Sequence, residues 1–277
     1  PSRARLMRHS NGPAPVVDIS VHHAVTITVQ DSIELFRLTE TSEGYERLGD
    51  LRPLDRKLRI GFAPQPADKN QRTSPETLAA VTDVANLCTQ LGHDVIDFEI
   101  PLDGESYGNR FISLWAANAA AFAEEASEYS GKPIGPDILE AWTLGLYGLH
   151  ESTKDDIPES IAYLQAFEDV YNEWFKDIDI LLTPVVGSPA IPIGEQDPSG
   201  DFETVFANLK KFGGYTSYMN AAGSASMSVP LSWTPSGLPV GSLFSGKRGD
   251  DGLLFELALQ LEAARPWLGR VPPVSAF

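Results

Sequence analysis

Apolar positions along this chain alternate between a helical and a strand period, and the changes of period mark its elements. Residues 1–25 are irregular, with Asn11-Gly12-Pro13-Ala14-Pro15 as a turn-rich loop. Thr28 then caps a helix whose apolar side carries Val29, Ile33, Phe36 and Leu38. Leu58–Ala63 reads as a short strand. Ser74 as N-cap, Pro75 at the first helical position and Glu76 in the first turn open a helix that runs to Gly92. Val95–Ile100 is the next strand, and strand–helix–strand with short links predicts a right-handed parallel crossover. Helices are expected over 106–130, where Phe111, Trp115 and Phe122 stand among alanines, and over 136–148. A long helix is expected from Pro158 to Asp177, with Ile161, Leu164, Phe167, Val170, Tyr171, Trp174 and Phe175 at three-and-four spacing. Ile178–Pro184 is a buried strand that runs into a proline-rich loop over 185–201. Phe202–Phe212 is helical, Gly213–Ser226 is small and polar, and Ser228–Trp233 and Pro239–Phe244 are strands joined by turn chemistry. A last helix starts with Asp250 as N-cap and is ended by Pro266. Alternating strands and helices, with no linker or repeat, predict a single α/β domain over 1–277 with a sheet covered on both faces.

Composition narrows the function classes. The chain has 277 residues, 42% hydrophobic, with a formal net charge of −17. Such a surface repels phosphate backbones, and no Lys/Arg run offsets it, so nucleic acid is not an expected partner. No stretch approaches the roughly 18 to 20 apolar residues of a membrane span, so no membrane partner is expected. The lone Cys88 leaves no internal disulfide and suits a reducing, cytoplasmic setting. Pro1–Arg8 has no apolar core behind it and no initiator methionine, which reads as a chain cut from something longer rather than a signal peptide.

Several stretches, in order, resemble the amidase signature family. Pro1-Ser2-Arg3-Ala4-Arg5 is similar to the segment that closes the family's signature region, although the family has glycine where Ala4 stands. Thr28-Val29-Gln30-Asp31 resembles its Ser/Thr-Val-Arg-Asp helix start, with Gln30 for arginine. Asp179–Pro184 followed by Pro189-Ala190 resembles its Asp-x-Leu-Leu-x-Pro strand and loop. Asn220-Ala221-Ala222-Gly223 through Ser228-Val229-Pro230, with Gly237–Gly241, resembles its Asn-x-x-Gly block, Ala225-Ser226 replacing the usual Pro-Ala. Asp251–Glu262 and Pro266-Trp267 are similar to its closing helix. Within the family the arrangement is most similar to hydrolases of small or linear amides, such as the 6-aminohexanoate cyclic-dimer hydrolases.

The resemblance implies a mixed sheet covered by helices on both faces, as the C-terminal part of a larger amidase domain. It also implies hydrolysis of a small-molecule amide through an acyl-serine, with a Ser–Ser–Lys triad and no cofactor or metal. The triad's Gly-Gly-Ser-Ser-Gly-Gly loop would precede Pro1, and no lysine here, from Lys57 to Lys247, sits in a matching context. The expectation is therefore no catalytic residue in this chain, inactivity alone, and a need for the N-terminal half, without which the chain would be marginal or self-associate. The alternative is a non-catalytic binding or scaffold subunit derived from an amidase.

By the same resemblance Trp115, Asn118, Thr183 and Asn220 are the candidate substrate contacts. Trp115 reads equally as core, and Asn220 equally as a turn cap. Ser224, Ser226 and Ser228 lack a Gly-x-Ser-x-Gly elbow and read as loop and strand. His22 and His23 lack further metal ligands at fitting spacing. His93 and His150 flank helix ends and read as caps.

Overall fold

The computed structural model describes residues 17–41 and 46–271. The Pro1–Arg5 match and the Asn11–Pro15 loop lie outside the described residues. The predicted helix after Thr28 is α1 (Val29–Thr39), and Thr28 Oγ1 accepts from Asp31 N at 3.1 Å. Such a cap is worth about 1 kcal/mol. Val29, Ile33 and Phe36 are buried, but Leu38 is 78% exposed and does not share their side. β1 (Arg59–Phe62), α2 (Pro75–Gln90) and β2 (Asp94–Asp97) form the expected crossover, with β1 and β2 parallel. Ser74 caps α2 through Thr77 N, and Gly92 leaves it at φ 96°, a left-handed turn that glycine adopts without a Cβ penalty.

α3 (Gly104–Ser130) and α4 (Ala141–Thr153) follow. The single helix expected over 158–177 is instead two, α5 (Ile157–Gln165) and α6 (Phe167–Glu173). At Ala166 the N–H is shared between the Ala162 and Leu164 carbonyls, and the axis tightens there. Tertiary packing overrides the periodicity: Phe167 is fully buried, its ring 4.8 Å from Tyr107 and 6.1 Å from Trp174. Val170, counted on the apolar side, is 39% exposed.

β3 (Ile180–Pro184) is buried at every position. α7 (Phe202–Phe212) is as expected, but the small polar stretch after it contains a further helix, α8 (Thr216–Ala222). Alanine and tyrosine there supply helix-forming positions that a loop reading of a glycine- and serine-rich stretch overlooks. β4 (Ser226–Trp233) and β5 (Pro239–Ser245) form an antiparallel hairpin closed by Thr234–Leu238, where Gly237 takes φ 88°. The last helix is α9 (Asp251–Ala264). Asp250 stands at its N-cap position, but its carboxylate accepts from Lys247 N at 2.8 Å instead of capping the helix.

The strands make one mixed sheet in the order β2-β1-β3-β5-β4. Ile60, Leu182, Val229 and Phe244 face a core built with α1, α2 and α9. Leu181 and Leu243 face a second core built with α3, α5, α6 and α8. The sheet is therefore covered on both faces, and β4 and β2 are its edges. Asp179 links the entry of β3 to β1: its N–H donates to Arg59 O and its Oδ2 accepts from Arg59 N, each at 2.8 Å. His93, expected to cap a helix, is instead a buried bridge, its Nδ1 accepting from Leu58 N at 3.2 Å and its Nε2 donating to Gln260 Oε1 at 2.9 Å. His150 sits within the last turn of α4 with Nδ1 buried and unpartnered, so it is not a cap either.

Two outcomes test this packing. A Cβ on Gly104 would lie 2.2 Å from Asp68 N, whereas one on Gly148 meets nothing within 4 Å. Gly104→Ala is expected to cost at least about 2–3 kcal/mol, and Gly148→Ala to stabilise by about 0.5–1 kcal/mol, read from denaturant melts. Burial pushes the Cys88 thiol up to about 12. It should resist a disulfide reagent at about pH 8 until denaturant is added; rapid labelling of the native protein would contradict the burial.

Candidate functional site

On the second face of the sheet α3 presents Tyr107, Phe111 and Trp115 at four-residue intervals, one side of the helix. These side chains wall a cavity of about 230 Å³, closed opposite by Phe206 and Lys210 of α7 and by Tyr218 of α8. The loop holding Asp68 and Gln71 and the turn Gly213-Gly214 complete it. Gly214 has φ 119°, and a Cβ there would lie 3.0 Å from Gln71 Oε1, so glycine lets the turn approach the loop. The loop is internally satisfied: Asp68 accepts from Asn70 N and from Gln71 Nε2, each at 2.9 Å. Thr73 Oγ1 and the Tyr215 hydroxyl both donate to Pro64 O, which ties the approach to α8 onto the loop after β1.

Aromatic rings fix the wall. Trp115 lies 5.8 Å from Trp142 of α4, which lies 5.4 Å from Phe202 of α7. Phe202 stacks on Phe206 at 5.4 Å. Trp115 is half-buried, so it serves the wall and the packing together. Tyr107 is 2% exposed and its hydroxyl makes no hydrogen bond of normal geometry. Burial drives its pKa well up, and Ser217 alongside tempers that rise. The hydroxyl therefore stays a neutral donor. Lys210 Nζ stands over the Phe206 ring, 4.9 Å from its centroid.

The other expected contact residues do not gather here. Asn118, three residues beyond Trp115, is exposed and outside the cavity lining. Thr183 is fully buried at the end of β3, and its Oγ1 donates to Pro184 O at 2.9 Å. Asn220 is half-buried on α8, and its carbonyl accepts from Gly223 N at 3.3 Å, part of the helix-ending turn. Thr183 and α8 lie on the same side of the sheet as the cavity. Tyr107 and Lys210 went unread in the sequence. The spacing 107, 111, 115 was the available signal for Tyr107, whereas Lys210 reaches the cavity only through the fold of α7.

A nucleophile needs a positioned base and oxyanion donors. The hydroxyls of Ser224 and Ser226 are buried without a base, and Ser224 lies beside Tyr171, whose hydroxyl donates to Gly246 O at 3.2 Å. Among the described residues no group of three His, Cys, Asp or Glu could hold a metal ion. No helix among them is long and apolar enough to cross a membrane.

A second opening of about 570 Å³ runs along the outer edge of β4, lined by Ser226–Pro230, by Leu254 and Trp267, and by residues 23–29. Trp267 Nε1 donates to Ile27 O at 2.7 Å and holds that segment in place. At its rim Val25 and Ile27 are 103% and 69% exposed.

Known proteins agree with this architecture. Residues 29–255 match the family described as Amidase. AmiC of Mycobacterium bovis is 30% identical over 271 residues, covering 96% of this chain and 57% of that protein. The 6-aminohexanoate-cyclic-dimer hydrolase of a Pseudomonas species is 25% identical over 225 residues, covering 78% of this chain and 45% of that protein. A solved structure of 6-aminohexanoate cyclic dimer hydrolase complexed with substrate shares the fold at TM-score 0.78 and 23% identity, covering 99% of this chain and 61% of the other. The match thus covers between 45% and 61% of the length of these relatives. With its sheet order, its covered faces and a match across most of its length, this chain belongs to the Amidase family.

Proposed function

We propose that this chain is the C-terminal portion of an amide hydrolase, and that it supplies the wall of the substrate pocket while another part of the polypeptide supplies the nucleophile. The observation that carries this reading is the aromatic cavity of α3, α7 and α8 in a chain of the Amidase family. Apolar walls with a few convergent polar groups are the usual form of a small-molecule site. Among the described residues no serine with a base accompanies the cavity, and in this reading hydrolysis of a carboxylic amide C–N bond through an acyl-serine takes its nucleophile from a segment beyond this chain. Trp115 is the proposed contact for the acyl group. Asn118, Thr183 and Asn220 remain proposed contacts that the remaining segment would bring to the substrate.

The edge of β4 is the proposed docking place of that segment. Among the described residues β4 has no strand on its outer side; such an edge exposes a row of backbone donors and acceptors, and apolar Val25 and Ile27 are exposed beside it. Pro230 and the register irregularity between Val229 and Ser232 limit regular pairing to Ser226–Val229.

Turnover of a panel of small aliphatic and aryl amides tests the reading. The 277-residue chain alone should not turn over. The complete polypeptide that carries it should release amine in a stoichiometric burst, and Trp115→Ala should lower kcat/KM by about 10- to 100-fold. Hydrolysis by the chain alone, or a complete polypeptide that never acylates, would overturn the proposal.

A further inference from the structure

Next to the aromatic cavity lies another of about 570 Å³ that shares Ile112, Phe206 and Lys210 with it. It runs between α3, α7 and the segment 149–160, and its lining is polar where the first is aromatic. Ser113 of α3 is 6% exposed and its Oγ is buried without a partner. Arg110 Nη2 donates to Glu159 Oε1 at 2.6 Å, and its guanidinium packs 5.0 Å from the Tyr163 ring centroid. The Arg110 Nε, in contrast, is buried and unpartnered. Lys210 forms no ion pair with a carboxylate among the described residues. Glu159 is taken up by Arg110, and the exposed Asp156 stands at the outer wall.

Buried donors without acceptors are costly, and native structures satisfy them with protein, water or ligand. The orphans here share one chemistry. Arg110 Nε–H, the Ser113 hydroxyl and the Tyr107 hydroxyl can all donate, and two cations stand with them in a chain of net charge −17. An acceptor-rich group fits these donors, and with Arg110 engaged by Glu159 and Asp156 exposed at the outer wall, Lys210 is the cation left to attract an anion.

We infer that the two cavities form one elongated site for an amphipathic carboxylate. Its apolar body lies among Phe111, Trp115 and Phe206, a carbonyl-type acceptor takes the Tyr107 hydroxyl, and its carboxylate lies between Lys210, Arg110 Nε and Ser113 Oγ. Resting on the amide-hydrolase reading, this makes the substrate an amide that bears a carboxylate remote from the scissile bond.

Calorimetric titration of the complete polypeptide with hexanoate, hexanamide and hexylamine tests the inference. Hexanoate should bind at least about tenfold tighter than hexanamide, with loss of that margin at high salt. Lys210→Gln and Ser113→Ala should each weaken hexanoate about three- to tenfold and leave hexanamide unchanged. Ser113→Ala removes a single buried hydroxyl and Lys210→Gln a single exposed charge, and unchanged melting curves would verify that both variants fold. Equal binding of hexanoate and hexanamide, or variants that bind hexanoate as the parent does, would overturn the inference. Turnover of neutral amides without carboxylate preference sinks this inference and leaves the hydrolase reading standing; carboxylate binding without amide turnover does the reverse.

Discussion

Both cores described above are packed against one strand that is buried at every position, Ile180–Pro184. Its alternate side chains serve opposite layers, Ile180 and Leu182 one face and Leu181 the other. A strand buried on both sides cannot alternate polar with apolar, so it reads as a continuous hydrophobic run. It also sets the sheet's geometry. Parallel pairing with β1 on one side and antiparallel pairing with β5 on the other make the sheet mixed. The reciprocal hydrogen bonds between Asp179 and Arg59 secure its register at the point of entry.

The site follows from that arrangement. Helices on the α3 side need a rigid floor, and Leu181 with Leu243 provides it. On this floor Tyr107 is held by Phe167 and Tyr218, at 4.8 and 4.9 Å between rings, so the inner end of the cavity is preorganised. The aromatic chain from Trp115 to Phe206 ties the cavity's outer wall to α4 and α7, and Gly145 admits the Phe202 ring where a Cβ would lie 2.1 Å from it. On the opposite face the distinguishing feature among the described residues is the edge of β4.

Most of the fold was legible in the chain because local rules and tertiary packing agree. Ser74-Pro75, Gly92, the run 180–184 and the turn 234–238 each announce an element through a single physical cause. Legibility failed where packing decides against local pattern. Ala166 breaks a helix whose apolar period continues through it, and α8 forms from a stretch that composition marks as loop. His93 lies next to a helix end in sequence, yet its ring is spent on joining Leu58 to Gln260 across the first core. The candidate site was legible only at Trp115. Asn118, Thr183 and Asn220, named by the family motif, do not gather at the cavity. The orphan donors beside Trp115 share its helix, and Lys210 reaches them from α7, a meeting that only the fold brings about.

The central claim of the proposed function is that this sheet continues past β4 into the remainder of a longer polypeptide. Amide hydrogen exchange at Ser226–Val229, compared between the 277-residue chain and the complete polypeptide, tests it most directly. The account predicts that the outward-facing amides exchange readily in the chain alone and gain at least about tenfold protection in the complete polypeptide. Equal exchange in both would show that nothing pairs with that edge and would contradict the claim.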